Sequence, residues 1–212
     1  MRRDEALAVA QLSHAGRQTP CAVNPNPFSC SGVQLMVEWR SMGFRKPVTL
    51  TKQQIKTEVT DRFVYAAKFA QKQGWFLCCL RRTNVPIFMV DNRMRVITQI
   101  IEAIRKEIDA STGFLVEIKN SVGFQKDGLH IDDAKIMCEV MELSGGTMAK
   151  LAFQHMRDST RKREAFFLAF AEKIRPVSKR TVVYVTDGWR TVPAMVRTVV
   201  DGTTDDIGFG RL

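Results

Sequence analysis

The stretch that decides the fold runs from Thr181 to Arg211 and reads TVVYVTDGWRTVPAMVRTVVDGTTDDIGFGR. Its first part, Thr181–Val185, is apolar and β-branched, which is typical of a buried strand. A helix is predicted over Val192–Val200 and a second strand over Asp206–Phe209. Strand, helix and strand in this order predict a parallel βαβ unit of an α/β fold.

Both strands of this unit end in glycine turns. The first turn is Thr186-Asp187-Gly188, and the second is Gly208-Phe209-Gly210-Arg211. In (β/α)8 barrels the loops after the last two strands commonly hold a phosphate group, because backbone N–H groups are exposed there and glycine allows a close approach. Arg211 would add a charge-assisted contact. Glycine turns after strands are more often turns alone, so a phosphate site and a plain turn both stay open.

The alternation of strands and helices continues upstream, which favours an α/β fold in a single domain over residues 1–212. A capping box, Thr51-Lys52-Gln53-Gln54, begins a helix that should end near Gln73, before Gly74. Residues 19–49 are rich in proline and glycine, show no period and are predicted to form a long loop. The other predicted elements are strands at Ala6–Leu12, Phe114–Ile118 and Val140–Leu143, and helices at Met94–Ile108, Asp132–Glu139 and Arg163–Ile174.

Composition limits the class of protein. The chain has 212 residues, of which 45% are hydrophobic and 25% charged, as in ordinary globular proteins. No apolar run approaches the roughly 18 residues of a membrane span, and no secretory signal is recognised, so we predict a cytoplasmic protein without a membrane partner. The five cysteines and three histidines lack metal-ligand or disulfide spacing, which predicts reduced thiols and no metal site.

The net charge of +10 raises the question of a nucleic-acid partner. The basic residues are scattered, however, and the densest run, Arg157–Glu164, is interrupted by acidic residues and leads into a helix. Such a run is more often a solvated surface than a binding patch. We therefore predict no nucleic-acid partner.

Seven short segments follow one another in the order of a known family. They are Gln11–Gln18, Asp91–Arg95, Ile118–Gln125, Leu143–Thr147, Lys162–Phe167, Thr186–Arg190 and Ile207–Arg211. Together they resemble the FMN-dependent old yellow enzyme family of NADH:flavin oxidoreductases, the ene-reductases. The resemblance covers nearly the whole chain except about residues 75–90, and its specificity lies in the order of the segments.

This resemblance implies a (β/α)8 TIM-type barrel that binds FMN, takes hydride from NAD(P)H and acts on a small enone-type substrate. It implies that Gln11 bonds the flavin ring and that Lys119, at a strand end, faces the flavin pyrimidine. An amide both donates and accepts, and a lysine stabilises the negative charge of a reduced flavin. The glycine turns with Gly188, Gly210 and Arg211 would then hold the phosphate.

The sequence departs from the family's pattern at the catalytic residues. After Gly74 the family carries a strand with a His–His or His–Asn pair, followed by a tyrosine. Here residues 75–90 are aberrant, no histidine lies between His14 and His130, and Tyr65 and Tyr184 stand elsewhere. The family also has strands before the Gln11 segment. We therefore expect an incomplete barrel that lacks its N-terminal strands and the central catalytic strand, and we assign no catalytic residue.

Codon choice offers an origin for the aberrant segment. With permitted codons, Leu80–Val90 read one base earlier gives Pro-Thr-Thr-Asn-Lys-Arg-Thr-Asp-Ile-Tyr-Gly, which resembles the family's sequence after the histidine pair. This favours a deletion with a frame error. The expected function is a degenerate, inactive FMN-dependent oxidoreductase; a small working flavoprotein with altered chemistry and a non-enzymatic binding protein with a basic surface stay open, as does the oligomeric state.

Overall fold

The computed structural model describes residues 8–36, 43–75, 77–81, 90–108, 111, 115–122, 141–145, 168–178, 182–186 and 189–209. The chain divides after Val116 into two compact units, and each is described by itself.

Two parallel strands form the sheet of the first unit. Strand β1 (Val9–Ser13) lies beside β4 (Leu77–Arg81), with Gln11 opposite Cys79. The predicted long loop between them is mostly irregular. It contains two short strands that pair in parallel, β2 (Phe28–Ser29) and β3 (Val48–Thr49).

Strand β4 lies in the segment where we expected the central strand to be missing. That expectation is wrong for the backbone, since a five-residue strand is present at Leu77–Arg81 and its partner is β1. The physical reason is that a parallel ladder uses backbone N–H and C=O groups, which do not depend on the side chains. The apolar run Leu77-Cys78-Cys79-Leu80 is sufficient to form it.

The predicted capping box begins the first helical segment. The backbone N–H of Gln54 donates to the Thr51 hydroxyl (3.2 Å), and the backbone N–H of Thr51 donates to the Gln54 amide oxygen (2.9 Å). The helical residues run as α1 (Lys52–Ile55), a π-helical turn (Lys56–Thr60) and α2 (Asp61–Lys72). Gly74 then ends the segment with a φ of +77°, which glycine adopts without strain.

Helix α3 (Val90–Glu107) buries the predicted isoleucine stripe and packs against α2. The helix begins four residues before the predicted Met94. An exposed ion pair between Lys68 of α2 and Glu107 of α3 (2.6 Å) adds little to the free energy of folding, because water screens it. Burial of the stripe is the main contribution, and its members are Ile97, Ile100, Ile101 and Ile104.

Four parallel strands form the sheet of the second unit, each beside its neighbour in the chain. This order is that of a barrel sheet and differs from the rearranged order of a doubly wound sheet. The first of the four strands begins at Leu115, two residues before the start of the second unit. The strands are β5 (Leu115–Val122), β6 (Met141–Gly145), β7 (Val183–Thr186) and β8 (Asp206–Gly208).

Helices connect these strands as the βαβ pattern predicts. Helix α4 (Leu168–Ile174), followed by a 3-10 turn at Arg175–Val177, packs against β7, and α5 (Val192–Val200) packs against β8. The predicted bounds of α5 are confirmed at both ends. The predicted helix Asp132–Glu139, and the first part of the predicted helix Arg163–Ile174, lie outside the described residues. Closure into a complete barrel is not seen within either unit, as far as the structure describes them.

Hydrogen bonds of Asp205 connect the amino-terminal ends of β7 and β8. It accepts the backbone N–H of Val183 (2.8 Å) and two guanidinium hydrogen bonds of Arg175 (2.7 Å each). The backbone N–H of Asp205 donates to the Val183 carbonyl, which also accepts from the hydroxyl of buried Thr204 (2.6 Å). One side chain therefore joins the turn after α4 to both strands.

We expect Asp205→Ala to lower the free energy of unfolding by about 2 kcal/mol, because it removes the acceptor of the Val183 N–H and of two Arg175 hydrogen bonds. The ion pair is about a third exposed, which keeps the loss at this size. Urea unfolding measures it, with exposed Asp201→Ala as the control, for which a change within about 0.5 kcal/mol is expected. Equal losses in the two variants would contradict the assignment.

Candidate functional site

The amide of Gln11 is available to a ligand. Gln11 lies in the middle of β1, and its side chain is exposed together with those of Val9 and Ser13 on the same face of the strand. Within the described residues its amide has no hydrogen-bond partner. An amide can donate and accept at once; that Gln11 bonds the polar edge of a flavin ring stays a prediction.

The strand beside Gln11 carries two cysteines. Gln11 is opposite Cys79, and Ala10 is opposite Cys78 in the β1–β4 register. The residue opposite the candidate flavin residue in the ladder is therefore a cysteine. The side chains of Cys78 and Cys79 lie outside the described part of the structure.

Lys119 does not stand at a strand end as predicted. Strand β5 continues to Val122, so Lys119 lies within the strand, with its Cα opposite Glu142 of β6. The prediction ended the strand too early because Lys119, Asn120 and Ser121 are polar. Polar residues can continue a parallel strand, because the backbone hydrogen bonds to the neighbouring strand β6 do not depend on the side chains.

The carboxy-terminal ends of β7 and β8 approach each other closely. Gly208 is opposite Thr186, and a Cβ atom added at Gly208 would overlap the Thr186 hydroxyl and lie 3.2 Å from the Thr186 Cα. Only glycine fits here. The sequence alone did not identify Thr186, because its position opposite Gly208 depends on the register between the strands.

The connection after β7 is anchored by a tryptophan. Trp189 is buried, and its indole N–H donates to the Val185 carbonyl (3.1 Å). This contact was not predicted either, and a large aromatic side chain directly after a glycine turn is the signal that could have indicated it. The predicted phosphate residues Gly188, Gly210 and Arg211 lie outside the described residues.

The five predicted cofactor residues belong to different parts of the molecule. Gln11 is in the first unit, whereas Lys119 and the three residues of the glycine turns are in the second. The strands β7 and β8 that lead into the two turns end side by side. That all five residues line one site stays a prediction.

His14 follows β1 and is partly buried. Burial lowers the pKa of the imidazole from its ordinary value, because the charged form loses hydration. His14 is therefore neutral at pH 7 and can accept one hydrogen bond and donate another. In the described part of the chain no cluster of acidic, histidine and cysteine side chains suits a metal ion, and no helix is long and apolar enough to cross a membrane.

We expect Gly208→Ala to cost about 2–3 kcal/mol of the free energy of unfolding, because the new methyl group overlaps Thr186. Combining it with Thr186→Gly should recover a large part of this loss, since the hydroxyl and Cβ are then absent. A double-mutant cycle by urea unfolding measures the coupling. Strictly additive effects would show that the two residues do not meet.

We expect the free energy of unfolding to fall as the pH drops below about 6.5, the value for His14 in the unfolded chain. The sign follows from the lowered pKa in the folded protein: the unfolded chain binds the proton first, so stability is full above pH 6.5 and is lost toward the lowered pKa. His14→Gln should reduce the difference in stability between pH 7.5 and pH 5.5, measured by urea unfolding. An unchanged difference would contradict this assignment.

Comparison with known proteins identifies relatives along nearly the whole chain. The chain is 34% identical to the NADH-dependent flavin oxidoreductase nadA of Aspergillus parasiticus, covering 99% of this chain and 52% of that protein. It is 26% identical to the NADH-dependent flavin oxidoreductase iccE of Talaromyces variabilis, covering 96% and 59%. The chain thus spans about half the length of these curated relatives. No protein-family model matches it.

Solved structures show the same fold at low identity. A 2-naphthoyl-CoA reductase complex matches with a TM-score of 0.78 at 16% identity, over 98% of this chain and 36% of that one. Morphinone reductase in complex with tetrahydroNAD matches with a TM-score of 0.67 at 17% identity, over 96% and 62%. These neighbours are TIM-barrel oxidoreductases, so the fold is part of a (β/α)8 barrel.

The alignment with nadA also shows internal shortening. It spans 242 positions, whereas this chain has 212 residues, so about 30 positions of the aligned region have no counterpart here. The segments of the resemblance are nevertheless retained in order. Over the half-length that it spans, the chain is similar to the curated NADH-dependent flavin oxidoreductases.

Proposed function

We propose that this chain is a degenerate, cytoplasmic FMN-dependent oxidoreductase of the ene-reductase type that does not reduce alkenes. The observation that carries the proposal is the register of β1 and β4. Gln11, the candidate flavin residue, is opposite Cys79, on the strand where the resemblance implies a histidine pair. We infer that the residue that contacts the flavin is retained and that the histidines that hold the substrate are replaced.

Several features of the chain suit FMN. The free amide of Gln11 matches the mixed donor and acceptor edge of the flavin ring, and Lys119 would balance the charge of the reduced ring. The approach of β8 to β7 at Gly208 supports a phosphate site, because it admits no side chain between the strand ends. Gly188, Gly210 and Arg211 would hold the phosphate. When bound, FMN supplies hydride transfer from NAD(P)H to an alkene.

The carboxylate of Asp187 opposes this phosphate site. It precedes Gly188 at a position where the family has glycine, and two negative groups at close range repel each other. We therefore infer that FMN binds more weakly here than in the family.

We infer that this chain lacks donor groups for the second half of the reaction. Hydride addition to an enone builds negative charge on the carbonyl oxygen, and strong donors must be directed at that oxygen to stabilise it. A thiol is a weak donor compared with an imidazole N–H. Two observations support the inference that the donors are lost: cysteines lie opposite Ala10 and Gln11 in the β1–β4 register, and the alignment with nadA is about 30 positions longer than this chain.

We expect the purified chain to show weak flavin absorbance on titration with FMN and no oxidation of NADH when 2-cyclohexen-1-one is added. Asp187→Asn should strengthen FMN binding by about fivefold, because one carboxylate near the phosphate is neutralised. The matched control Asp201→Asn makes the same change in net charge on an exposed turn and should leave the affinity unchanged.

Three outcomes of this experiment are informative. Turnover of the enone would overturn the proposed inactivity, and would require another donor in place of the histidines. Oxidation of NADH by the FMN-loaded chain without an enone would favour a working flavoprotein with altered chemistry. Equal effects of the two asparagine variants would contradict a phosphate site beside Asp187.

A further inference from the structure

A groove of about 520 Å³ lies in the first unit between the start of the helical segment and α3. It is independent of the flavin proposal, since none of its residues is a candidate cofactor residue. Its charged members are four cations and one carboxylate: Lys52, Lys56, Arg95, Lys106 and Glu102. The groove is therefore strongly basic.

Most of these cations have no partner in the part of the chain that the structure describes. Lys56 forms an ion pair with Asp61 (3.0 Å). Within the described residues, Lys52, Arg95 and Lys106 make no hydrogen bond and no ion pair. Three exposed positive charges thus stand around one groove against the single carboxylate of Glu102, which favours a negatively charged ligand.

The distribution of the charges indicates an elongated ligand. Arg95 and Lys106 are eleven residues apart on one helix, which is about 16 Å along its axis. A single phosphate or carboxylate cannot contact both. A segment of about eleven helical residues with several acidic side chains spans this distance.

The groove also has an apolar floor. Ile55, Val96 and Ala103 line it and are half-buried, so apolar side chains of a ligand would find partners beneath the ring of charges. The π-helical turn Lys56–Thr60 forms part of the wall. Such π-helical turns are rare and occur frequently at functional sites.

These features select one kind of occupant. A second copy of this chain, with its net charge of +10, would be repelled by a basic groove. Single-stranded nucleic acid would require aromatic platforms for its bases, and no aromatic residue lines the groove in the described structure. We propose that this groove binds an acidic amphipathic helix of a partner protein, with its apolar face on the floor and its carboxylates at the cations.

The test uses the 212-residue chain and a fluorescein-labelled peptide of about twelve residues, with leucine on one face of the helix and glutamate on the other. Fluorescence anisotropy in about 0.15 M salt measures binding. The triple variant Lys52→Glu, Arg95→Glu, Lys106→Glu should weaken the affinity by at least about tenfold. The control triple Lys72→Glu, Lys173→Glu, Arg197→Glu changes the net charge equally at exposed positions outside the groove and should retain binding.

A second variant separates shape from charge. Ala103→Gln fills the floor without changing the charge and should weaken peptide binding, while circular dichroism and urea unfolding show that the fold is retained. Equal losses in the two charge triples, or no binding of the peptide by the unaltered chain, would overturn the proposal. So would binding of a single-stranded oligonucleotide in preference to the peptide, or a dimer in sedimentation experiments that the groove triple dissociates.

Discussion

The second unit depends on one partly exposed junction, in which the Asp205 carboxylate binds the start of β7 and the turn after α4 at once. A charged acceptor with three donors is worth more than three separate neutral bonds. It fixes the amino-terminal ends of β7 and β8, so their register is determined there. The opposite ends then meet at Thr186 and Gly208 without a side chain between them. In barrel enzymes the ends of the strands that carry the active site are opposite the ends that contribute to stability.

Local signals in the sequence predicted most of the helices and strands. The capping box at Thr51 and the stop at Gly74 depend on neighbouring residues only, and both were found where expected. The apolar pattern of Val192–Val200 likewise determined α5. What the sequence did not predict depends on partners distant in the chain. The extension of β5 beyond Lys119 is stabilised by pairing with β6. No local sequence pattern predicts this extension.

In the candidate site, too, local features could be predicted from the sequence and long-range contacts could not. Gln11 could be placed on a strand from its own segment, but the residue beside it depends on the β1–β4 register. Strand β4 was missed because the absence of histidines was interpreted as the absence of a strand. A backbone ladder does not depend on particular side chains, so a strand can form at Leu77–Arg81 without the histidines.

The π-helical turn Lys56–Thr60 changes the direction in which the first turn of the helix faces. Each residue of an α-helix advances the chain by about 100° around the axis, so one additional residue in a turn rotates everything before it by about that angle. Thr51 and Ile55 therefore occupy a different angular sector from the one that an uninterrupted helix through Asp61–Lys72 would give them. A helical wheel drawn at constant pitch from Lys52 to Lys72 places its first turn more than a quarter revolution out of phase.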